Sequence, residues 1–210
     1  STQSRSSAAS DVYKRQVSGF GNDTRTLAAG EAFVALRTAR RDGHDFLGAA
    51  RERGAACALV SRAMPDPLPQ LVVDDTLAGL QRIAAAWRCG LAMPVVGVTG
   101  SVGKTSVKEM LRSALGPRTH ATVANLNNTL GVPLTLLRAD PSLHAAAVIE
   151  AGMSEPGELG VSARVLRPDV AVVTCVRAVH LEGLGSLEAI AREKSELVRA
   201  LAPAGEAGGA

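Results

Sequence analysis

Between residues 17 and 75, short apolar runs alternate with segments of helical period. FVAL (33–36) predicts a strand. HDFLGAARERGA (44–55) predicts a helix, with Phe46, Leu47 and Ala50 on one face and Gly54 near its end. CALV (57–60) and LVV (71–73) predict strands separated by the Pro-rich turn MPDPLPQ. Leu77, Leu80, Ile83, Ala84 and Trp87 recur at spacings of three and four within DTLAGLQRIAAAWR (75–88), which predicts an amphipathic helix.

The texture changes at Pro94. PVVGVT (94–99) is a continuous apolar run, the pattern of a strand buried on both faces. GSVGKT follows, then a helix whose expected apolar face is Val107, Met110, Leu111 and Ala114. AAAVIEAG (145–152) and DVAVVTCV (169–176) predict two further buried strands. Residues 186–201 predict a last helix, with Leu187, Ile190, Ala191, Val198 and Leu201 on one face. No internal repeat is present. Strands alternating with helices predict an α/β fold with a parallel sheet and right-handed crossovers. The expected division is a small N-terminal α/β domain over 17–90 and an incomplete parallel-sheet domain over 94–210.

Both ends read differently. Residues 1–16, STQSRSSAASDVYKRQ, are Ser-rich without apolar period. They resemble translated adaptor sequence and are set aside as a non-native tail, with a native disordered tail as the alternative. APAGEAGGA (202–210) follows a strong helical pattern, as expected of a chain that breaks off inside a domain.

Composition narrows the function. Apolar residues make up 46% and charged residues 20%, an ordinary globular balance. Aromatics are only 2%, and the net charge of +3 contains no run of Lys or Arg that could track a phosphate backbone. Together these argue against a nucleic-acid partner. Cys57, Cys89 and Cys175 are far apart and odd in number, fitting neither a disulfide framework nor a zinc site. With no run of 18 apolar residues and no signal pattern, the expectation is a cytoplasmic protein without membrane insertion.

The chemistry centres on Gly100, Ser101, Val102, Gly103, Lys104, Thr105 and Ser106, between a buried strand and an amphipathic helix. That context suits a phosphate-binding loop: N–H groups face phosphates, Lys104 neutralises them, and the Thr105 hydroxyl holds Mg²⁺. The strict motif places a glycine where Val98 stands. A purely structural glycine turn is the alternative.

TGSVGKT, with its glycine at 100, resembles the ATP-binding loop of the Mur ligases and their folylpolyglutamate synthetase relatives. NDTRTLAAGEAFVAL (22–36), DGHDF (42–46), NLNNTLGVPLTLL (125–137), IEAGMSEPGEL (149–159) and HLEGLGSLEAIAREKSEL (180–197) occur in the order seen in Mur ligases. They are similar to the branch that joins D-alanyl-D-alanine to a UDP-muramoyl tripeptide. The resemblance covers about 17–205 and implies a monomeric, ATP-dependent amide ligase of peptidoglycan precursor synthesis, acting through an acyl phosphate. It also implies a UDP-substrate domain, a central ATPase domain that is cut short here, and a C-terminal domain that is absent.

By the same resemblance, Glu150 is a Mg²⁺ ligand, His180 the ligand of a second Mg²⁺, and Lys194 a carbamylated lysine that helps place a metal. The alternatives are a capping carboxylate, a structural histidine and a lysine snorkelling at a stripe edge. Asn125, Asn127 and Asn128 are candidates for contacting substrate or phosphates, or else a turn-forming cluster. Asp23, Thr24 and Arg25 match a segment near the uridine site, with a surface salt bridge as the alternative. Three positions depart from the family pattern: Cys175 stands where Asn is usual, Arg177 near a usual Gly, and Ala124 where Gly precedes the Asn cluster. A nucleotide-binding module without ligase activity and another ligase of the superfamily remain as alternative functions.

Overall fold

The computed structural model describes residues 17–177 and 186–201. The chain divides between Leu80 and Gln81 into two compact units.

In the first unit, β1 (Phe20–Gly21), β2 (Ala32–Val34), β3 (Cys57–Val60) and β4 (Gln70–Val72) form a parallel sheet in that order. Phe33, Ala35, Ala58 and Val60 join Leu27, Leu47, Ala50 and Leu68 in one core. The segment expected as a single helix over 44–55 splits into a 3₁₀ turn (Gly43–Phe46) and the short helix α1 (Leu47–Glu52). Asp42 causes the break: its side chain accepts from the His44 N–H and caps the tighter turn. Phe46 therefore leaves the predicted face and is exposed, while His44 is buried. His44 Nδ1 lies 2.5 Å from Asp42 Oδ1, and its Nε2 accepts from the Ser61 N–H at 2.9 Å, tying this turn to the end of β3. In β4, Leu71 and Val72 are exposed, so that strand is not buried as an apolar run suggests.

Helix α2 (Thr76–Cys89) contains the division between the units. Leu80 and Ala84 are buried as its spacing predicts, but Trp87 is exposed and Arg88 is buried. Trp87 instead places its indole N–H on the Ala139 carbonyl.

The second unit is a parallel sheet in the order β6 (Thr119–Ala121), β7 (Ala146–Glu150), β5 (Val95–Thr99), β8 (Val170–Val173). Every residue of β5 and β7 is buried. Strand β8 is the correction: it stands at the sheet edge among the described residues, and Val170 is exposed. Its apolar run is of the same kind as in the central strands, but among the described residues it pairs with β5 alone.

Among the described residues, this unit holds, besides the end of α2, the helices α3 (Lys104–Leu115), α4 (Gly131–Leu136), α5 (Glu158–Leu166) and α6 (Leu187–Arg199). Two of their buried stripes differ from the expected ones. On α3, Val107 and Leu111 pack against Val96, Val98 and Val148, but Met110 and Ala114 are exposed and Lys108 is buried. On α6, the buried residues are Ile190, Lys194 and Leu197, while Leu187, Ala191, Val198 and Leu201 are exposed. On α3 a lysine stem fills a place that the apolar period does not assign, which rotates the buried face; on α6 Lys194 is buried on the stripe where its spacing puts it, with Leu197 rather than Val198 beside it.

Candidate functional site

The topology sets the position of the site. From β5 the chain crosses to the β6 edge, and from β7 it crosses to β8 on the other side. Adjacent strands whose connections diverge open a crevice at their carboxyl ends, where open α/β sheets bind ligands. Register pairs Val98 with Glu150, so the loop after β5 and the end of β7 meet there.

That loop is Gly100–Gly103. Gly100 has φ +151°, and a Cβ there would collide with the Thr174 hydroxyl, so only glycine fits. The loop is stitched to the segment after β8. Thr174 Oγ1 donates to the Val102 carbonyl at 2.6 Å, the Ser101 N–H donates to the Cys175 carbonyl at 2.9 Å, and Ser101 Oγ donates to the Arg177 carbonyl at 3.0 Å. Arg177 thus contributes only main-chain groups to the loop, whereas Cys175 adds its thiol, which donates to the Val102 carbonyl at 3.6 Å. Val102 is exposed at the loop tip, and Ser106 is exposed in the first turn of α3.

Gly103, at φ +81°, begins α3 without any side-chain cap. The first N–H groups of a helix lack intrahelical acceptors, and here no side chain takes their place, as suits an anion. Lys104 Nζ folds back over the loop to the Gly100 carbonyl at 2.9 Å. Beside it, Thr105 Oγ1 donates to Glu150 Oε2 at 2.9 Å. Glu150 is 2% exposed, and its other oxygen, Oε1, accepts from Asn127 Nδ2 at 2.8 Å. A hydroxyl and a buried carboxylate facing each other beside an uncapped helix start are oxygen donors that fit Mg²⁺. That ion usually takes one or two carboxylates and completes its shell with water and phosphate oxygens. No cluster of three or more His, Cys, Asp or Glu occurs among the described residues.

The three asparagines separate. Asn127 joins the site, and its main-chain carbonyl also accepts from the Gly152 N–H at 2.7 Å. Asn128 turns away from it: Oδ1 accepts from the N–H groups of Leu130 and Gly131, capping the entry to α4. Asn125 contributes its main-chain carbonyl to the Asn127 N–H. Ala124, just before them, adopts φ +50°, the left-handed conformation for which the glycine usual in the family is suited.

Lys194 is 3% exposed, and none of the ion pairs among the described residues includes it. Burial lowers the pKa of its ammonium, and the neighbouring charge of Lys104 lowers it further. The expected site residue His180 lies outside the described residues.

Asp23, Thr24 and Arg25 lie in the first unit. Arg25 Nε and Nη2 contact the Asp23 carboxylate at 2.9 and 2.5 Å, and Asp23 also accepts from the Arg25 N–H at 3.0 Å. Hydrogen bonds from Arg25 hold the Asp23 carboxyl down at about 2. Here the guanidinium is engaged within its own turn. The sequence reading missed Thr122, Thr174 and Lys108, whose partners are distant main-chain groups.

The family models agree with this geometry. Residues 98–207 match the Mur ligase middle domain, and residues 16–88 match the Mur ligase family catalytic domain. The UDP-N-acetylmuramoyl-tripeptide–D-alanyl-D-alanine ligase of Bacillus subtilis is 42% identical over 190 residues, covering 88% of this chain and 41% of that protein. The crystal structure of MurF from Acinetobacter baumannii is similar with a TM-score of 0.80 at 37% identity, over 88% of this chain and 41% of that one. The MurF ligase of Thermotoga maritima in complex with ADP is similar with a TM-score of 0.77 at 32% identity, over 87% of this chain and 43% of that one. The chain spans about 40% of the length of these relatives. With a phosphate-loop crevice built as described and a middle-domain match over more than half its length, the chain belongs to the Mur ligase family.

Proposed function

We propose that this chain carries the nucleotide-binding part of an ATP-dependent ligase that joins D-alanyl-D-alanine to UDP-N-acetylmuramoyl tripeptide in peptidoglycan precursor synthesis. The observation that carries the reading is the contact of Thr105 with the buried Glu150 beside the loop covered by Lys104. The relative solved with ADP supports nucleotide as the ligand. Residues 17–90 serve as the UDP-substrate domain and 94–210 as the ATP-binding domain. The enzyme works as a cytoplasmic monomer on small molecules, with no nucleic-acid partner and no membrane insertion.

Amide formation needs a carboxylate oxygen turned into a leaving group, and phosphoryl transfer from ATP does this through an acyl phosphate. Two anions must approach, so the protein has to supply cations and N–H donors in a fixed arrangement. The uncapped start of α3 and Lys104 receive the β- and γ-phosphates. Mg²⁺, when bound, neutralises the transferring phosphate. Thr105 and Glu150 would hold it, His180 would serve a second ion, and Asn127 fixes the Glu150 carboxylate. Ser101, Val102 and Ser106 complete the cradle, while Asn125, Asp23, Thr24 and Arg25 are the remaining substrate-side residues and Asn128 serves as the cap of α4.

Lys194 acts as a carbamate. Its lowered pKa favours the neutral amine, whose nitrogen would attack CO₂ and lose a proton to give a carbamate anion able to help hold a Mg²⁺. One assay on the complete protein tests the reading. ATP consumption should require both the UDP-muramoyl tripeptide and D-alanyl-D-alanine. Lys194→Ala should lose that activity and regain part of it with short carboxylic acids. Turnover with a glutamate-type amine and none with the dipeptide overturns the ligase assignment. ATP binding without dipeptide-dependent turnover leaves a nucleotide-binding module, and full activity of Lys194→Ala ends the carbamate reading.

A further inference from the structure

Helix α3 carries two lysines one turn apart. Lys104 serves the loop. Lys108 is 2% exposed, a position where burying an ammonium costs far more than burying a leucine. Its Nζ donates to the main-chain carbonyl of Thr122 at 2.7 Å and pairs with Glu109 Oε1 at 2.8 Å. What a leucine could not supply is that charge-assisted bond to the backbone just past β6. Thr122 is itself buried, and its hydroxyl accepts from the Glu150 N–H at 2.9 Å, while its own N–H donates to the Val148 carbonyl. Five residues further on, the same segment delivers Asn127 to Glu150 Oε1. Lys108 therefore holds the backbone from which two groups reach Glu150, one at its N–H and one at its carboxylate.

We propose that Lys108 is a positioning residue: through Thr122 and Asn127 it fixes the Glu150 carboxylate in the orientation that meets Thr105. The proposal rests on the nucleotide-site reading above and adds to it a residue that touches neither nucleotide nor metal. Because Gly100–Gly103 and Lys104 are held by other contacts, the loss of Lys108 should spare phosphate binding and weaken only the contribution of Mg²⁺.

The experiment is calorimetric titration of ADP into the complete protein, in EDTA and across a series of Mg²⁺ concentrations. Lys108→Met keeps the stem and removes the charge. Thr122→Val keeps the shape and the main-chain carbonyl but removes the hydroxyl. In both variants, ADP affinity in EDTA should stay within about twofold of the parent. The Mg²⁺ concentration for half-maximal enhancement should rise about tenfold, the usual effect of losing an outer-shell partner. If the parent shows no Mg²⁺-dependent ADP binding, the nucleotide-site reading itself fails and the proposal with it. If the parent shows it and the variants keep the parental Mg²⁺ requirement, the site reading stands and the proposal falls. Equal losses in EDTA and in Mg²⁺ mean a general structural role and also overturn it. Should Lys108→Met fail to fold, Lys108→Gln, which also removes the charge, decides by the same criteria.

Discussion

Arg88→Met should destabilise the second unit by about 3 kcal/mol. Arg88 is 6% exposed and spends its guanidinium on four acceptors. Nε donates to the carbonyls of Leu166 and Arg167 at 3.0 and 3.1 Å, Nη1 to the Leu91 carbonyl at 3.4 Å, and Nη2 to Asp169 Oδ2 at 2.8 Å. The first two acceptors end α5, where Arg167 turns left-handed at φ +37° and the last carbonyls need donors. Asp169 also accepts from the Val95 N–H at 2.7 Å, so one carboxylate joins Arg88 to the start of β5. Breaking a buried pair costs about 3–5 kcal/mol. Asp169 is 26% exposed and keeps the Val95 N–H, which draws the value to the low end. Net hydrogen-bond values of about 1 kcal/mol for each carbonyl give a similar figure. At about 2–4 °C per kcal/mol, the melting midpoint should fall by about 6–12 °C. Urea unfolding read by the single tryptophan, Trp87, is the natural assay because that residue bonds to Ala139 in the same unit. A double-mutant cycle with Asp169→Asn should give a coupling above about 1 kcal/mol. A loss below about 0.5 kcal/mol, or no coupling, would falsify the clamp.

Two further outcomes follow from local geometry. Ala124→Gly relieves a left-handed alanine and should stabilise the protein by about 0.5–1 kcal/mol in chemical denaturation; a destabilisation means that the φ of +50° carries no strain. Asp23 has a folded pKa of about 2, below its unfolded value, so what the Arg25 contact contributes is complete above about pH 4 and is lost as pH falls from 4 toward 2. A carboxyl-carbon NMR titration should find that low midpoint and its return to about 4 in Arg25→Ala; an ordinary midpoint in the parent refutes the pairing.

The fold was readable in the sequence where burial is symmetrical. β5 and β7 have neighbours on both sides and helices over the sheet, and their uninterrupted apolar runs say so. β8 carries the same kind of run at what is an edge among the described residues, because an apolar run does not report the number of paired neighbours. The helix over 44–55 was misread for a local reason: the Asp42 side chain competes for the His44 N–H and sets a 3₁₀ turn that hydrophobic period cannot express. Trp87 and Arg88 exchanged their expected places because an indole can hold one carbonyl from the surface, whereas a guanidinium can satisfy four acceptors inside.

The site divides by the distance over which its residues act. Lys104, Thr105 and the glycines were readable because loop, strand and helix are contiguous, and Glu150 because it ends a buried strand. Asn127 and Asn128 could not be told apart: neighbours in a polar cluster, one reaches Glu150 and the other caps α4, and only the chain path between β6 and α4 decides which. Thr122 and Thr174 were out of reach altogether, since they act on residues 28 and 72 positions away. Lys108 and Lys194 are a different case. Each sits four residues from a buried or site-facing neighbour on the same helix, Lys104 for one and Ile190 for the other, and an inward lysine breaks the apolar stripe it belongs to. Read as a gap in the stripe, such a lysine shifts the predicted face, as on α3. Read as an occupant, Lys108 marks a place where acceptors converge and the interior bears the desolvation of a cation. Through Thr122, Lys108 stands one step from the carboxylate at the centre of the crevice, whereas burial and the charge of Lys104 lower the pKa of Lys194 and disfavour a cation there.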